Sequence, residues 1–244
     1  MVKHIRETLP PLAGVANGAM VLHNSLFAKM TADTMRTVLQ PKVTGSVHLD
    51  CLFGVNDEPL DFFVLFSSAA AVFGNAGQSN YCAANGFLTA LARSRSLRGL
   101  AGSVLDIGVV IGIGYVESSA AQVARNQLSR QALDVLSEPE LRQAFAEAVL
   151  SSHPHPCRAV DASKRLQQVS VTTGVRMCYA DEDVSGPWFT DPVYSHCITV
   201  GGRADVSGGA ASDDSASSLP ISQQLTRVSS RADALVALKA AFAS

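Results

Sequence analysis

The stretch Asp61-Phe-Phe-Val-Leu-Phe-Ser67 is apolar at five consecutive positions and ends in a small polar residue. Such a run, apolar on both faces, is typical of a central strand in a parallel sheet, because helices cover both faces of that kind of sheet. A long helix is predicted next, over Ser79–Leu97, with arginines in its last turns and Gly99 just beyond its end. Residues 102–107 predict a second buried strand.

Shorter patterns extend this alternation in both directions. Residues 12–16 form an apolar run that breaks at Asn17-Gly18, and residues 69–78 are small and Gly-containing, which predicts a loop. Helical patterns recur at residues 31–40, 42–53, 119–127, 132–136 and 138–150. Pro41 separates the first of these patterns from the second. Alternating strands and helices predict right-handed crossovers, and therefore an α/β fold built on a parallel sheet.

The composition excludes several classes of protein. The chain has 244 residues, with 19 Lys+Arg against 21 Asp+Glu, a balance that argues against a nucleic-acid binder or a polybasic membrane clamp. Hydrophobic residues at 47% exclude a wholly disordered chain. The five cysteines include no Cys-x-x-Cys pair and the N-terminus has no apolar signal core, which favours a cytoplasmic setting.

Two further patterns, an apolar segment and a group of His and Cys residues, could suggest a membrane span and a metal site, but each has a simpler interpretation. Residues 100–116 carry little charge, but they fall short of the ~20 residues of a membrane-spanning helix and contain Asp106 and four glycines. We expect a buried strand that runs into a Gly-rich loop. His153, His155 and Cys157 are separated by prolines and lack a fourth partner, so we expect surface loop residues and no metal site.

The chain divides into four predicted segments. Residues 1–150 hold the alternating pattern, and residues 151–200 are less regular, with prolines and one aromatic cluster. Residues 201–230 are rich in Gly, Ser and Ala and predict a flexible linker. Residues 231–244 predict a short amphipathic helix.

Polar side chains cluster around the end of the strand at residues 61–67. Ligands bind at the carboxyl ends of strands in such sheets, and Ser68 comes at that end. Tyr81 and Asn85 are four residues apart and share one helix face, while Lys42 follows Pro41 on the preceding helix. A phenol can protonate an alkoxide formed by hydride transfer, and a neighbouring ammonium lowers its pKa. We expect Ser68 to bind the carbonyl oxygen and Asn85 to support the proton relay.

Three motifs carry a family resemblance: Phe66-Ser67-Ser68, Tyr81-Cys82-Ala83-Ala84-Asn85 and Pro41-Lys42-Val43-Thr44-Gly45. They resemble the ketoreductase domain of fungal highly reducing polyketide synthases, a branch of the short-chain dehydrogenase/reductase superfamily. In most of that superfamily the lysine lies four residues after the tyrosine and the asparagine lies on the earlier helix. Here the asparagine, Asn85, lies four residues after Tyr81, and the lysine, Lys42, lies on the earlier helix. This exchange of the two residues is typical of the synthase type.

The resemblance implies a fold, a reaction and partners. The fold is a partial Rossmann-like parallel sheet with flanking helices, followed by an irregular linker region. The reaction is NADPH-dependent reduction of a β-ketoacyl group bound to an acyl carrier protein, among other polyketide synthase domains. Tyr81 is implied as the proton donor, with Ser68, Lys42 and Asn85 as its catalytic partners. No nucleic acid, membrane or metal is implied.

The cofactor is expected to contact Lys42 and Tyr81 together with two backbone segments. The resemblance implies that Asn17-Gly18 approaches the nicotinamide ribose, although these two residues could also form only a turn. Gly108, Val109 and Val110 are expected to flank the nicotinamide. No G-x-G-x-x-G occurs in the sequence, so the resemblance implies the C-terminal half of a ketoreductase. Two hypotheses stay open: a reductase that acts when the missing strands are supplied, and an inactive truncated remnant or interaction module.

Overall fold

The computed structural model of the protein describes residues 2–54, 59–111, 128, 131–153 and 169–199. Within these residues, four parallel strands form one sheet in the order β1-β2-β3-β4. The strands are β1 (Gly14–Asn17), β2 (Phe62–Ser68), β3 (Ser103–Ile107) and β4 (Ser170–Thr172). The predicted α/β fold with a parallel sheet is confirmed.

Helices flank this sheet. They are α1 (Val2–Thr8), α2 (Ala32–Leu39), α3 (Gly45–Leu52), α4 (Ala69–Phe73), α5 (Ser79–Leu97) and α6 (Glu138–Ser152). The bounds of α5 coincide with the predicted helix, because Gly99 adopts a φ of 75° that ends the helix at little cost. None of the helices among the described residues is long and apolar enough to cross a membrane.

The core lies on both faces of β2. Phe63 and Leu65 pack with Leu88 of α5 on one face, and Val64 packs with Ala148 of α6 on the other. All of these side chains are essentially inaccessible to solvent. This double burial is the physical reason for the uninterrupted apolar run in the sequence.

A π-helical turn, Gln40–Thr44, joins α2 to α3 and carries both Pro41 and Lys42. Proline has no N–H and clashes with the carbonyl four residues earlier, so an ordinary α-helical turn would be strained here. The wider turn relieves that clash, and the Gly45 N–H reaches back five residues to the Gln40 carbonyl. Turns of this kind are frequent at functional sites.

The segment from residue 169 to 199 adds β4 to the central sheet and forms a small cluster of its own. Strands β5 (Cys178–Tyr179) and β6 (Ile198–Thr199) pair in parallel, with the 3-10 turns Pro187–Thr190 and Pro192–Cys197 before β6. Trp188 is 1% exposed, and its Nε1 donates to the Gln131 carbonyl at 2.7 Å. The division predicted at residue 150 stays a prediction, although the sheet continues beyond it.

Two local predictions were wrong. Residues 132–136 do not form a helix, because Leu133 bridges to Val175 and Leu136 bridges to Val110. Part of the loop predicted at residues 69–78 is the helix α4. The predicted helix at 119–127, the linker at 201–230, the helix at 231–244 and the residues His155 and Cys157 lie outside the described residues.

A buried ion pair holds α5 to α3. Arg95 is 1% exposed, and its guanidinium donates to Asp50 at 2.5 Å and to the Ala101 carbonyl at 2.7 Å. The guanidinium also lies 3.8 Å from the centre of the Phe63 ring. Arg98 contacts the same carboxylate, but its side chain is 41% exposed. The Arg95 contacts therefore connect two helices to the core of the sheet.

Candidate active site

Ser68 ends β2 at the carboxyl edge of the sheet and is also the N-cap of α4. Its Oγ accepts a hydrogen bond from the Ala70 N–H at 3.2 Å. The hydroxyl proton takes no part in that bond, because the oxygen is the acceptor. Ser68 can therefore donate to a carbonyl oxygen placed beyond the end of β2.

Tyr81 lies in the first turn of α5 and is 8% exposed. Burial raises the pKa of its phenol above the ordinary value of 10.0, and hydrogen bonding with Asn85 and Ser68 offsets part of that rise. The phenol is therefore protonated at neutral pH, which is the form that a proton donor needs. Its hydroxyl also lies 3.8 Å from the Met20 sulfur.

Asn85 is fully buried one turn further along α5. Its Nδ2 donates to the Tyr81 backbone oxygen at 2.9 Å, whereas its Oδ1 has no hydrogen bond of ordinary geometry. A buried acceptor without a partner costs about 1–3 kcal/mol. Because this orphaned oxygen belongs to a side chain that also influences the Tyr81 phenol, it indicates a place where a further polar group binds.

Lys42 reaches the same place from the π-helical turn. It is 2% exposed, its Nζ donates to the Phe66 carbonyl at 2.7 Å, and the same Nζ lies 5.5 Å from the centre of the Tyr81 ring. Desolvation by burial lowers the pKa of Lys42 from 10.5 to about 8. The shift in the Tyr81 pKa has burial as its main cause, with hydrogen bonds from Asn85 and Ser68 opposing it. The expected lowering of that pKa by Lys42 stays a prediction.

The structure thus brings the four predicted catalytic residues to one edge of the sheet. Lys42 comes from the turn before α3, Ser68 from β2, and Tyr81 and Asn85 from α5. Backbone groups of Phe66, Ala70 and Tyr81 hold the side chains of Lys42, Ser68 and Asn85 respectively. The arrangement offers two hydroxyl donors, one cation and one amide around a single point, which suits the binding and protonation of a carbonyl oxygen.

The backbone at Asn17-Gly18 forms a turn at the end of β1. The Asn17 Oδ1 accepts from the Ala19 N–H at 3.1 Å, and its Nδ2 donates to the Ser46 hydroxyl at 2.9 Å. Both polar ends of the Asn17 side chain are therefore engaged within the protein. A Cβ added to Gly18 would meet the Phe66 ring only at ordinary contact distance, 3.9 Å.

Gly108, Val109 and Val110 follow β3, and protein contacts occupy much of their backbone. The Gly108 N–H donates to the Thr173 hydroxyl at 2.9 Å, and the Val109 carbonyl accepts from the Leu136 N–H at 2.7 Å. A Cβ on Gly108 would lie 2.9 Å from the Leu136 side chain, so close packing accounts for the glycine. Their expected contact with a nicotinamide stays a prediction.

Sequence reasoning missed a buried carboxylate near this edge. Asp106 is 3% exposed and accepts hydrogen bonds from the Ser170 and Thr172 hydroxyls on β4. Its register partner on β2 is Ser67, directly before Ser68. Burial raises the pKa of Asp106, and hydrogen bonds from these hydroxyls oppose that rise. The signal in the sequence was a lone acidic residue inside an apolar strand.

The residues present fit the nicotinamide-ribose part of a dinucleotide. The Lys42 ammonium has N–H groups beyond the one that it donates to Phe66, and Asn85 Oδ1, one turn beyond Tyr81 on α5, is a buried acceptor without a hydrogen bond of ordinary geometry. The sequence contains no G-x-G-x-x-G that would bind the pyrophosphate. Among the described residues, no group of three or more His, Cys, Asp and Glu side chains is arranged to hold a metal ion.

A parallel sheet covered by helices, with polar side chains gathered at its carboxyl edge, defines a Rossmann-like α/β protein. Residues 1–112 match the family model described as the KR domain. The predicted resemblance to polyketide synthase ketoreductases is confirmed.

The similar proteins are much longer fungal synthetases. The hybrid PKS-NRPS synthetase thnA of Trichoderma harzianum is 49% identical over 100% of this chain and 6% of its own length. The polyketide synthase-nonribosomal peptide synthetase of Aspergillus clavatus is 42% identical over 98% of this chain and 6% of its own length. The chain therefore spans about 6% of the relatives that it matches.

Solved structures agree with the family. An A1-type ketoreductase is 26% identical with a TM-score of 0.57, over 71% of this chain and 33% of that structure. An N-terminal ketoreductase from the macrolactin assembly line is 30% identical with a TM-score of 0.52, over 63% of this chain and 29% of that structure.

Proposed function

We propose that this chain supplies the catalytic residues for reduction of a β-ketoacyl thioester to a β-hydroxyacyl thioester in polyketide biosynthesis. The observation that carries the proposal is the convergence of Tyr81, Ser68, Asn85 and Lys42 at the carboxyl end of β2. The match to the KR family model supports the reaction class, and so do the similar solved structures, which are ketoreductases of polyketide synthases by title.

The proposed chemistry needs one hydride and one proton for each ketone. NADPH, when bound, supplies the hydride to the carbonyl carbon. Tyr81 donates its phenolic proton to the carbonyl oxygen, so that the ketone becomes an alcohol and the phenol becomes a phenolate. Ser68 holds the oxygen through its hydroxyl proton, which the contact with the Ala70 N–H does not use, and so fixes the ketone within reach of the phenol.

Lys42 and Asn85 serve the return of the proton to Tyr81. The Lys42 ammonium lies beneath the ring and stabilises the phenolate formed by each turnover. Its lowered pKa of about 8 makes it a readier proton donor than an exposed lysine. Asn85 Oδ1, which has no protein partner, is placed to accept a hydrogen bond from a water molecule in that relay.

The cofactor and partners follow from the same proposal. We assign Lys42, Tyr81, Asn17 and Gly18 to the nicotinamide-ribose half of NADPH, with residues 108–110 beside the nicotinamide. The substrate is carried as a thioester on an acyl carrier protein, and further polyketide synthase domains are partners. The relatives support this context, because they are multidomain synthetases by name.

The test is ketone-dependent oxidation of NADPH by the wild-type protein and by Tyr81→Phe, with a β-keto thioester or trans-decalone as substrate. Removing the proton donor should lower kcat by about 10²–10⁴-fold. Tyr179→Phe is the matched control, because Tyr179 lies on β5 and outside the four-residue site. Its activity should equal that of the wild-type protein.

Each assay uses two forms of the protein, since the sequence contains no G-x-G-x-x-G. One is the 244-residue chain, and the other carries at its N-terminus the segment that precedes the matched region in the Trichoderma harzianum synthetase. Reduction that survives Tyr81→Phe contradicts the role of Tyr81. Absence of reduction in both forms contradicts the proposed function and supports the inactive remnant or interaction module.

A further inference from the structure

The segment between β1 and α2, residues 18–30, runs along the N-terminal end of α5. The Asn80 Nδ2 donates to the His23 carbonyl at 3.0 Å, and the Ser25 N–H donates to the Gly77 carbonyl at 2.8 Å. These bonds fix the β1–α2 segment beside Tyr81, the residue that follows Asn80.

The part of this segment nearest the phenol is apolar and open to solvent. Met20 lies with its sulfur 3.8 Å from the Tyr81 hydroxyl, and its side chain is 42% exposed. Val21 is 41% exposed. Residues 18–22 read Gly-Ala-Met-Val-Leu and carry no charge and no polar side chain. The candidate proton donor therefore has an exposed apolar surface next to its hydroxyl group.

Resting on the proposed function, we infer that Met20 and Val21 bind the carbon chain next to the ketone and select apolar acyl chains over hydroxylated ones. The ketone oxygen must come within hydrogen-bond reach of the Tyr81 hydroxyl to receive its proton. The carbons one or two bonds from that ketone then lie within reach of the Met20 side chain, which already touches the same hydroxyl.

The chemistry of Met20 suits this role. Methionine is flexible and polarizable, so one side chain can follow acyl chains of different shape. Each methylene group that leaves water on such a surface strengthens binding about fourfold. A hydroxyl group on the same part of the chain loses its hydrogen bonds to water and finds no polar side chain in residues 18–22. We therefore expect this surface to bind apolar acyl chains more tightly than hydroxylated ones.

The first test detects binding without any turnover. The sequence contains five methionines, so methyl-labelled methionine gives a small set of NMR signals, and Met20→Leu identifies the Met20 signal by its loss. β-Ketooctanoyl N-acetylcysteamine thioester is titrated into the protein, in parallel with the same thioester carrying a hydroxyl group on the second carbon beyond the ketone. We expect the Met20 methyl signal to shift with the first ligand and much less with the second.

Met177 is the internal control, because it is 60% exposed and lies directly before β5. Its signal should not move. An unmoved Met20 signal, equal shifts with both ligands, or equal shifts at Met20 and Met177 would each overturn the inference. This readout stands whether or not the chain turns over a ketone, so it separates failure of the inference from failure of the proposed function.

The second test measures selectivity as the ratio of kcat/KM for the β-ketooctanoyl thioester to kcat/KM for the β-ketobutyryl thioester. Met20→Gln keeps a long side chain but makes it polar, and we expect that ratio to fall at least about fourfold. Phe27→Ser is the matched control, since Phe27 is a large apolar side chain that is 76% exposed on the same segment, seven residues after Met20. An unchanged ratio in Met20→Gln, or an equal fall in Phe27→Ser, would contradict the inference.

Discussion

Replacing Lys42 by Met should make the protein more stable at neutral pH, because the wild-type protein buries an ammonium group. Lys42 is 2% exposed, and its pKa falls from 10.5 to about 8 on folding. At about 1.4 kcal/mol for each tenfold change in a proton equilibrium, this difference corresponds to about 3 kcal/mol of native-state destabilisation. Met fills a similar volume without the charge. It loses the hydrogen bond to the Phe66 carbonyl, which is worth about 1 kcal/mol.

The sign of the pH dependence follows from the direction of that shift. Below about pH 8 the lysine is charged in both the native and the unfolded protein, so the native state is destabilised by the full cost of burying the charge. Between about pH 8 and 10.5 the unfolded chain binds more protons than the native protein, so wild-type stability rises with pH. We therefore expect Lys42→Met to be about 2 kcal/mol more stable at neutral pH, and to lose that advantage by pH 10.5.

Urea unfolding of both proteins across this pH range measures the difference, and subtraction removes every other titrating group that the two proteins share. Lys29→Met is the control, because Lys29 is exposed and its replacement should change stability by less than about 0.5 kcal/mol. A difference between wild type and Lys42→Met that stays constant from neutral pH to pH 10.5 would refute the reasoning. So would a variant that is less stable at neutral pH.

Two further predictions concern buried charges. Arg95→Met should destabilise the protein by about 2–4 kcal/mol, because it removes the buried ion pair with Asp50 and the donor to the Ala101 carbonyl. Arg98→Met should cost less than about 1 kcal/mol, because the Arg98 side chain is 41% exposed. Denaturant unfolding that finds equal losses in the two variants would contradict the importance of the buried Arg95 contacts. The raised pKa of Asp106 means that the native protein binds this proton more tightly than the unfolded chain does, so wild-type stability falls as pH rises from acid to neutral. Asp106→Asn lacks this titration, and its free energy of unfolding should therefore increase relative to that of the wild type over the same pH range. A relative free energy of unfolding that decreases with pH would contradict the raised pKa.

The sheet and the long helices could be predicted because their burial is periodic or continuous. β2 is covered on both faces, so its sequence is uninterruptedly apolar, and α5 ends where Gly99 allows a positive φ. Residues 132–136 were wrongly predicted as a helix because their apolar spacing does not reflect their backbone pairing. Leu133 and Leu136 are spaced like a helix face, but each pairs with a different strand-like segment through its backbone. Short apolar runs do not distinguish these two cases.

The candidate site could be predicted in part. Tyr81 and Asn85 share a helix face by spacing alone, and Ser68 follows from its place at the end of a strand. Met20 could not be placed beside Tyr81, because that contact depends on how the β1–α2 segment crosses the end of α5. Nor does spacing reveal that a π-helical turn lets Pro41 stay in the helix while Lys42 points to the Phe66 carbonyl.

The unfavourable interactions of the described residues gather at one edge of the sheet. Three buried side chains in that part of the protein keep a polar atom without a hydrogen bond of ordinary geometry: Ser67, Asn85 and Asp106. Ser67 and Asp106 are register partners near the carboxyl ends of β2 and β3, and Asn85 lies one turn beyond Tyr81. Lys42 adds a desolvated ammonium to the same edge. Packing alone would favour apolar residues at such positions, as it does elsewhere along β2, so these buried polar groups support the proposal that this edge of the sheet carries the chemistry.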